Sequence, residues 1–274
     1  MLPALLTACS ATDLLNATVA DDTYVRQTGL AYGTDPRQRF DLYQPATPVR
    51  NAPLVVFFYG GNWSSGNRAD YRFVGEALAS QGIVTMVADY RLSPEFRYPA
   101  FVQDSAKAVR WAFEMASAYG SGPSRVYVMG HSAGAYNAAM VALDGRWLAA
   151  EGLRTAQLAG WIGLAGPYDF LPIVDKKVQV AFEWPNTPAD SQPLVHASKG
   201  SPPALLLAPT KDTVVSPERS TLAMAEKLRA SGVRVDAALF DSVSHITLVA
   251  SMASVLRSRA PVLERVKAFV QSTG

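Results

Sequence analysis

Cysteine is almost missing from this chain: Cys9 is alone among 274 residues. That excludes an intrachain disulfide and any metal site built from several thiolates. Histidine is scarce too, with three residues, so the search for an imidazole base is short. No run of about 20 apolar residues occurs, which leaves no candidate for a membrane-crossing helix. Neither sign of charge dominates. Lys plus Arg number 25 and Asp plus Glu 23, and the net +2 is too near balance to suggest nucleic acid or a strongly acidic partner. Internal repeats and low-complexity tracts are also lacking. What is present is a chain 49% hydrophobic and 18% charged, enough for one large α/β domain.

From about residue 24 the pattern alternates strands and helices. Arg39–Tyr43 alternates and stops at Pro45, as an early strand would. Residues 53–59, 83–88, 125–129, 160–165 and 204–208 are apolar runs of the kind buried on both faces, and 233–240 completes the series. Val102, Ala106, Val109, Phe113 and Ala116 mark one face of a helix that stops near Gly120. Ser216-Pro217-Glu218 opens another, predicted to turn Leu222, Ala225 and Leu228 inward and to end at Gly232. A last helix carries Val262, Val266, Phe269 and Val270 on one side. Such alternation predicts a mostly parallel, doubly wound sheet whose ligands bind beyond the strands' carboxyl ends. Residues 170–200 break the rhythm, with Pro172, Pro185, Pro188 and Pro193 and no clean period. A stretch this irregular reads as a short lid inserted in a single domain spanning 21–274.

The sharpest motif is Gly130-His-Ser-Ala-Gly134, directly after the strand at 125–129. Glycines on either side permit a tight strand-to-helix turn with Ser132 at its apex, and the next N–H, from Ala133, faces a developing oxyanion. A serine nucleophile needs a base and an acid to orient that base. His131 lies beside Ser132 on the turn, and His196 falls in the irregular segment. His245 follows the final strand and is the best-placed base. Asp212 follows the next-to-last strand and is the matching acid, although its place is also that of a turn or capping aspartate. Asp236 sits inside a strand, and Asp241 is too near His245 in sequence to reach it easily. Tyr59-Gly-Gly-Asn-Trp63 follows the third strand, so Gly61 and Asn62 are candidate oxyanion donors beside Ala133.

These segments, with Ala88-Asp-Tyr-Arg-Leu-Ser-Pro-Glu95, Tyr98-Pro-Ala-Phe-Val-Gln-Asp104 and Lys211-Asp-Thr-Val-Val215, resemble the α/β-hydrolase esterase/lipase group. That group includes hormone-sensitive-lipase-like carboxylesterases and kynurenine-formamidase-like enzymes. The resemblance runs from Gln38 to Val270 and implies a Ser-His-Asp acyl hydrolase with neither metal nor organic cofactor. It departs at Tyr59, where the group usually has histidine, and at Asn62, where a third glycine is frequent. The implied reaction is hydrolysis of small to medium carboxylic esters through an acyl-enzyme. Aryl-formamide or amide cleavage by the same triad is the alternative, and a non-catalytic hydrolase-fold binding protein is a third reading. Trp63, Tyr168, Phe170, Phe182 and Trp184 are candidates to line the substrate pocket, though aromatics are as readily core. At the N-terminus, Leu6-Thr-Ala-Cys9 resembles a bacterial lipobox. Residues 1–20 therefore read as a signal or lipoprotein segment with Cys9 as lipid anchor, and the location as extracytoplasmic, with a cytoplasmic one as alternative.

Overall fold

The computed structural model describes residues 11–273, so the Leu6–Cys9 pattern lies outside the described residues. One eight-stranded sheet runs in the order β1-β2-β4-β3-β5-β6-β7-β8. Its strands are β1 (Tyr24–Ala31), β2 (Arg39–Pro45), β3 (Ala52–Phe58), β4 (Val84–Ala88), β5 (Ser121–His131), β6 (Gly160–Leu164), β7 (Ala204–Pro209) and β8 (Val235–Phe240). The first two pairings are antiparallel, and β4 onward is parallel throughout. Every residue of β3, β4, β6 and β7 is buried, which is why those strands read as unbroken apolar runs.

Ten α-helices accompany the sheet among the described residues: α1 (Ala11–Ala17), α2 (Arg72–Ala79), α3 (Ala100–Met115), α4 (Ala133–Leu143), α5 (Gly145–Ala150), α6 (Lys176–Ala181), α7 (Pro193–His196), α8 (Ala223–Ala230), α9 (His245–Ala250) and α10 (Val262–Ser272). Helices α3 and α4 pack on each other and on β3 and β5, while α2 and α10 meet each other and touch β4 and β7 respectively. Helix α4 is buried along its whole length, consistent with a sequence apolar on every side rather than on one stripe. The helix begun at Ser216 differs from expectation at Leu222, which is 41% exposed while Ala225 and Leu228 are buried. Glu218–Leu222 forms a widened π-type turn, and that shift in phase rolls Leu222 out. The 170–200 segment is folded, holding α6, α7 and a short 3₁₀ turn at Ala189–Ser191. No described helix is long and apolar enough to cross a membrane.

The parallel strands share one direction, so their carboxyl ends share one edge. Tyr59, Ser132, Asp212 and His245 each follow a strand there, after β3, β5, β7 and β8. The topology alone therefore brings residues separated by over a hundred positions to one place.

Candidate active site

Ser132 occupies the turn between β5 and α4 with φ 54° and ψ −122°, a conformation that non-glycine residues avoid. Two neighbours make it sustainable. A Cβ on Gly130 would lie 2.1 Å from the Gly134 carbonyl oxygen, and one on Gly134 would lie 2.0 Å from that of Phe58. Both positions thus exclude any side chain, because the turn presses against its own backbone and against the end of β3. The Ser132 N–H donates to the Leu164 carbonyl at 2.9 Å, tying the turn to β6.

His245 Nε2 lies 2.9 Å from Ser132 Oγ, and His245 Nδ1 lies 2.7 Å from Asp212 Oδ2. The line is continuous and mostly buried, with the Asp212 side chain fully covered and that of His245 10% exposed. Asp212 Oδ1 accepts the N–H groups of Val214 and Val215 at 2.8 and 3.1 Å. Burial on its own would raise the Asp212 carboxyl. The hydrogen bonds from His245, Val214 and Val215 outweigh it and hold the group below its ordinary value. Asp212 is therefore both a turn aspartate and the partner of the imidazole, one oxygen serving each role. An ionised Asp212 selects the tautomer with the proton on Nδ1, which leaves Nε2 free to accept the serine proton.

His131 turns away from Ser132 Oγ. Its Nε2 meets the His245 carbonyl oxygen at 2.9 Å and, as the protonated nitrogen, donates to it. Burial first, and the nearby His245 second, push His131 down to about 3, so it is neutral. It braces the backbone of the base. His196 lies apart, bonded to the Asp190 carbonyl. Asp236 pairs with Arg265 on the surface, and Asp241 is exposed.

The loop after β3 borders the same cavity as Ser132. Gly61 has φ 128°, Asn62 φ 51° and Trp63 φ 55°, a tight curl closed by the N–H groups of Ser64 and Ser65 on the Gly61 carbonyl. Among the described residues no protein acceptor engages the N–H of Gly61, Asn62 or Ala133. Tyr59 anchors this curl. Its hydroxyl donates to Asp89 at 2.6 Å and accepts from Arg37 at 2.7 Å, while its carbonyl accepts the Tyr90 hydroxyl at 2.8 Å. Arg37 also donates to the Gly66 carbonyl, and Arg68 pairs with both Asp89 and Asp41. Burial first, then the Asp89 charge, push the Tyr59 phenol well above its ordinary value, which keeps it a donor. None of this network was read from the sequence, since its charges come from segments far apart; the one signal was tyrosine in place of histidine.

Two cavities meet at Ser132. A narrow one of about 150 Å³ is lined by Asn62, Trp63, Ala133 and Phe170, with Ile173, Val178, Val214 and Val215 among the rest. A wide one of about 750 Å³ runs past Gly60, Gly61, His131 and His245 to α1, α9 and Leu256. Trp63 and Phe170 thus stand at the narrow cavity. Tyr168 does not; it is buried, edge-on against Trp161. Phe182 packs edge-on against Trp63 from behind, and Trp184 lines a separate surface groove with Arg97 and Lys176. Aromatic side chains go where they bury most area, and that choice is tertiary. Val214 and Val215 stand in the quoted Lys211–Val215 segment, but their roles as donors to Asp212 and as cavity wall were not read there, although an aspartate followed by main-chain donors two and three residues on is a recognisable turn pattern. No group of three or more His, Cys, Asp or Glu among the described residues is arranged to hold a metal ion.

Residues 40–228 match the sequence profile of the BD-FAE family. Among curated relatives, a probable isoprenylcysteine alpha-carbonyl methylesterase of Arabidopsis thaliana is 28% identical over 248 residues, 82% of this chain and 52% of that one. An Oryza sativa protein of the same description is 35% identical over 148 residues, covering 53% of this chain and 36% of the relative. Esterase LipC of Mycobacterium tuberculosis is 29% identical over 227 residues, 76% of this chain and 56% of its own length. The chain spans about a third to a half of the length of such relatives. Among solved structures, a truncated carbohydrate esterase from gut microbiota superposes with a TM-score of 0.78 at 18% identity, covering 93% of this chain and 98% of that one. A thermophilic esterase of Thermogutta terrifontis with butyrate bound gives a TM-score of 0.73 at 23% identity, covering 92% and 95%. These likenesses show a shared fold.

Proposed function

Because the chain belongs to the BD-FAE family, within the α/β-hydrolase-fold esterases and lipases, we propose that it is a serine carboxylesterase acting on small to medium carboxylic esters. The observation that carries this reading is the unbroken line Asp212–His245–Ser132, at 2.7 and 2.9 Å, ending beside main-chain N–H groups that no described residue engages.

In the proposed reaction Ser132 Oγ attacks the ester carbonyl carbon as His245 Nε2 takes its proton. Asp212 stabilises the imidazolium so formed. The carbonyl oxygen, now an oxyanion, is held by the N–H groups of Ala133, Gly61 and Asn62. Collapse breaks the bond to the alkoxy oxygen, which leaves with the proton from His245. A water then repeats the attack on the acyl-Ser132 ester, gives its proton to His245, and releases the carboxylic acid. The positive-φ turn supports the first step by holding Oγ clear of its helix in the attacking position. Segment 170–200, which supplies Phe170, Ile173 and Val178 to the narrow cavity, acts as a short lid in this reading.

Hydrolysis of p-nitrophenyl butyrate by the wild type and by Ser132→Ala tests the proposal. The reading expects turnover in the first and a loss of about a million-fold in the second. Equal rates would sink it. Running a p-nitroanilide of the same acid alongside separates ester from amide cleavage. The Leu6–Cys9 pattern supports a separate proposal of lipid attachment at Cys9 and an extracytoplasmic location. Palmitate labelling that survives Cys9→Ser would remove it.

A further inference from the structure

The two cavities at Ser132 are unequal, and the chemistry of the triad says which end of an ester each one takes. In the tetrahedral intermediate three directions are distinguishable at the reacting carbon. The oxyanion points at the N–H groups of Gly61, Asn62 and Ala133. The alkoxy oxygen must lie within hydrogen-bond reach of His245 Nε2, because it leaves with that proton. The acyl substituent takes the direction that remains. The oxyanion donors divide between the cavities, Gly61 on the wide one, Ala133 on the narrow one and Asn62 on both, but His245 borders the wide cavity alone. The alcohol therefore enters the wide cavity and the acyl group the narrow one.

Resting on the serine-esterase reading above, we infer that the preferred substrates join a short acyl group to a bulky, mainly apolar alcohol. A cavity of about 150 Å³ lined mainly by apolar side chains, with the Asp175 carboxylate also at its wall, accommodates a guest of benzene size, so an acyl tail of up to about six carbons fits. The wide cavity, at about 750 Å³, belongs to the size class that encloses large organic ligands. Leu14 and Leu15 of α1, Val249 and Ala250 of α9, and Leu256 give it an apolar lining, and Asp70 and Lys177 place charge at the same opening. Helix α1 is not a loose appendage to this wall. Asn16 Nδ2 donates to the Ala69 carbonyl at 2.9 Å, and Asn16 Oδ1 accepts the Phe73 N–H at 3.1 Å, pinning α1 where α2 begins. The alcohol specificity of the enzyme thus depends on a helix remote in sequence from all three triad residues.

Two ester series test this on the full chain. With p-nitrophenol fixed, acyl length runs from acetate to decanoate. With acetate fixed, the alcohol runs from methyl and ethyl to benzyl and 1-naphthylmethyl, all alkoxide leaving groups. The inference expects kcat/KM to fall by about 10- to 100-fold beyond hexanoate, and to rise by a similar factor from ethyl to 1-naphthylmethyl acetate. Val178→Ala, which widens the narrow cavity, moves the acyl optimum to longer chains. Asn16→Ala lowers the naphthylmethyl-to-ethyl ratio by about 5-fold or more. Methyl decanoate hydrolysed faster than 1-naphthylmethyl acetate would reverse the assignment while leaving the esterase reading intact. No hydrolysis anywhere in either series, or hydrolysis that survives Ser132→Ala, would instead remove the esterase reading itself.

Discussion

The turn at Ser132 and the segment 170–200 face the same narrow cavity, yet they are held in opposite ways. Around Ser132 the backbone itself is the constraint: carbonyl oxygens sit where any Cβ on Gly130 or Gly134 would have to be, and the N–H of Ser132 is bonded to β6. Across the cavity, Phe170, Ile173 and Val178 present apolar side chains from a segment with two short helices, a 3₁₀ turn and several prolines. The first region tolerates no substitution without moving the nucleophile. The second tolerates many, each altering the room available rather than the reaction. Chemistry here rests on main-chain geometry and specificity on side-chain volume.

The largest effect should come from breaking the first region at its chemical centre. Asp212→Asn keeps the shape but favours the wrong imidazole tautomer, and kcat for p-nitrophenyl butyrate should drop about ten-thousand-fold with KM little changed. Gly134→Ala attacks the same region sterically. The added methyl has no room against the Phe58 carbonyl, so kcat should fall by about a hundred-fold or more, with a lowered melting temperature by calorimetry. Tyr59→Phe sits one layer back. It strips a donor from the buried Asp89 and an acceptor from the half-buried Arg37, at a cost of about 1–3 kcal/mol. Its mark is a fall in kcat of about 10-fold at nearly constant KM, as expected of a residue that positions donors without touching substrate. On the other side of the comparison, Phe170→Ala should change kcat/KM by only a few-fold for acetate and more for hexanoate, since it removes contact area alone.

His131 gives a prediction in pH rather than rate. Its folded-state pKa of about 3 lies below the ordinary histidine value of 6.5. As pH falls below 6.5 the unfolded chain takes up a proton that the folded chain refuses, so this contribution to stability is lost progressively down to about pH 3. The slope per proton is about 1.4 kcal/mol per pH unit. Asp212 adds to the loss only further down, below the ordinary carboxylate range, because its pKa is also depressed. Urea unfolding at pH 7, 6 and 5 should therefore show a steeper decline in the wild type than in His131→Asn, which can still donate to the His245 carbonyl. Parallel declines would contradict the buried, neutral His131.

What could be read in the sequence follows from the same contrast. Strands β3, β4, β6 and β7 were legible because parallel strands buried on both faces are continuous apolar runs. Ser132, Asp212 and His245 were legible because topology puts the residues after such strands on one edge. Strand β1 was counted but given no bounds: it is an edge strand, exposed over most of its length, and carries no apolar signature. Leu222 was misplaced because a widened turn is invisible to a helical period. The Arg37–Tyr59–Asp89 anchor was not legible because its bonds join residues 22 and 30 positions apart, and no local pattern encodes them. Aromatic residues told least, since Trp63 and Trp184 look alike in sequence and only one stands at the catalytic cavity.

The central claim is that Ser132 is the nucleophile, activated by His245 and Asp212. Intact-mass analysis after brief exposure to a fluorophosphonate, followed by peptide mapping, tests it directly. The account predicts one adduct per chain, located on Ser132, abolished in Ser132→Ala and formed far more slowly in His245→Ala. An adduct on another residue, or a folded wild-type chain that takes none, would contradict it.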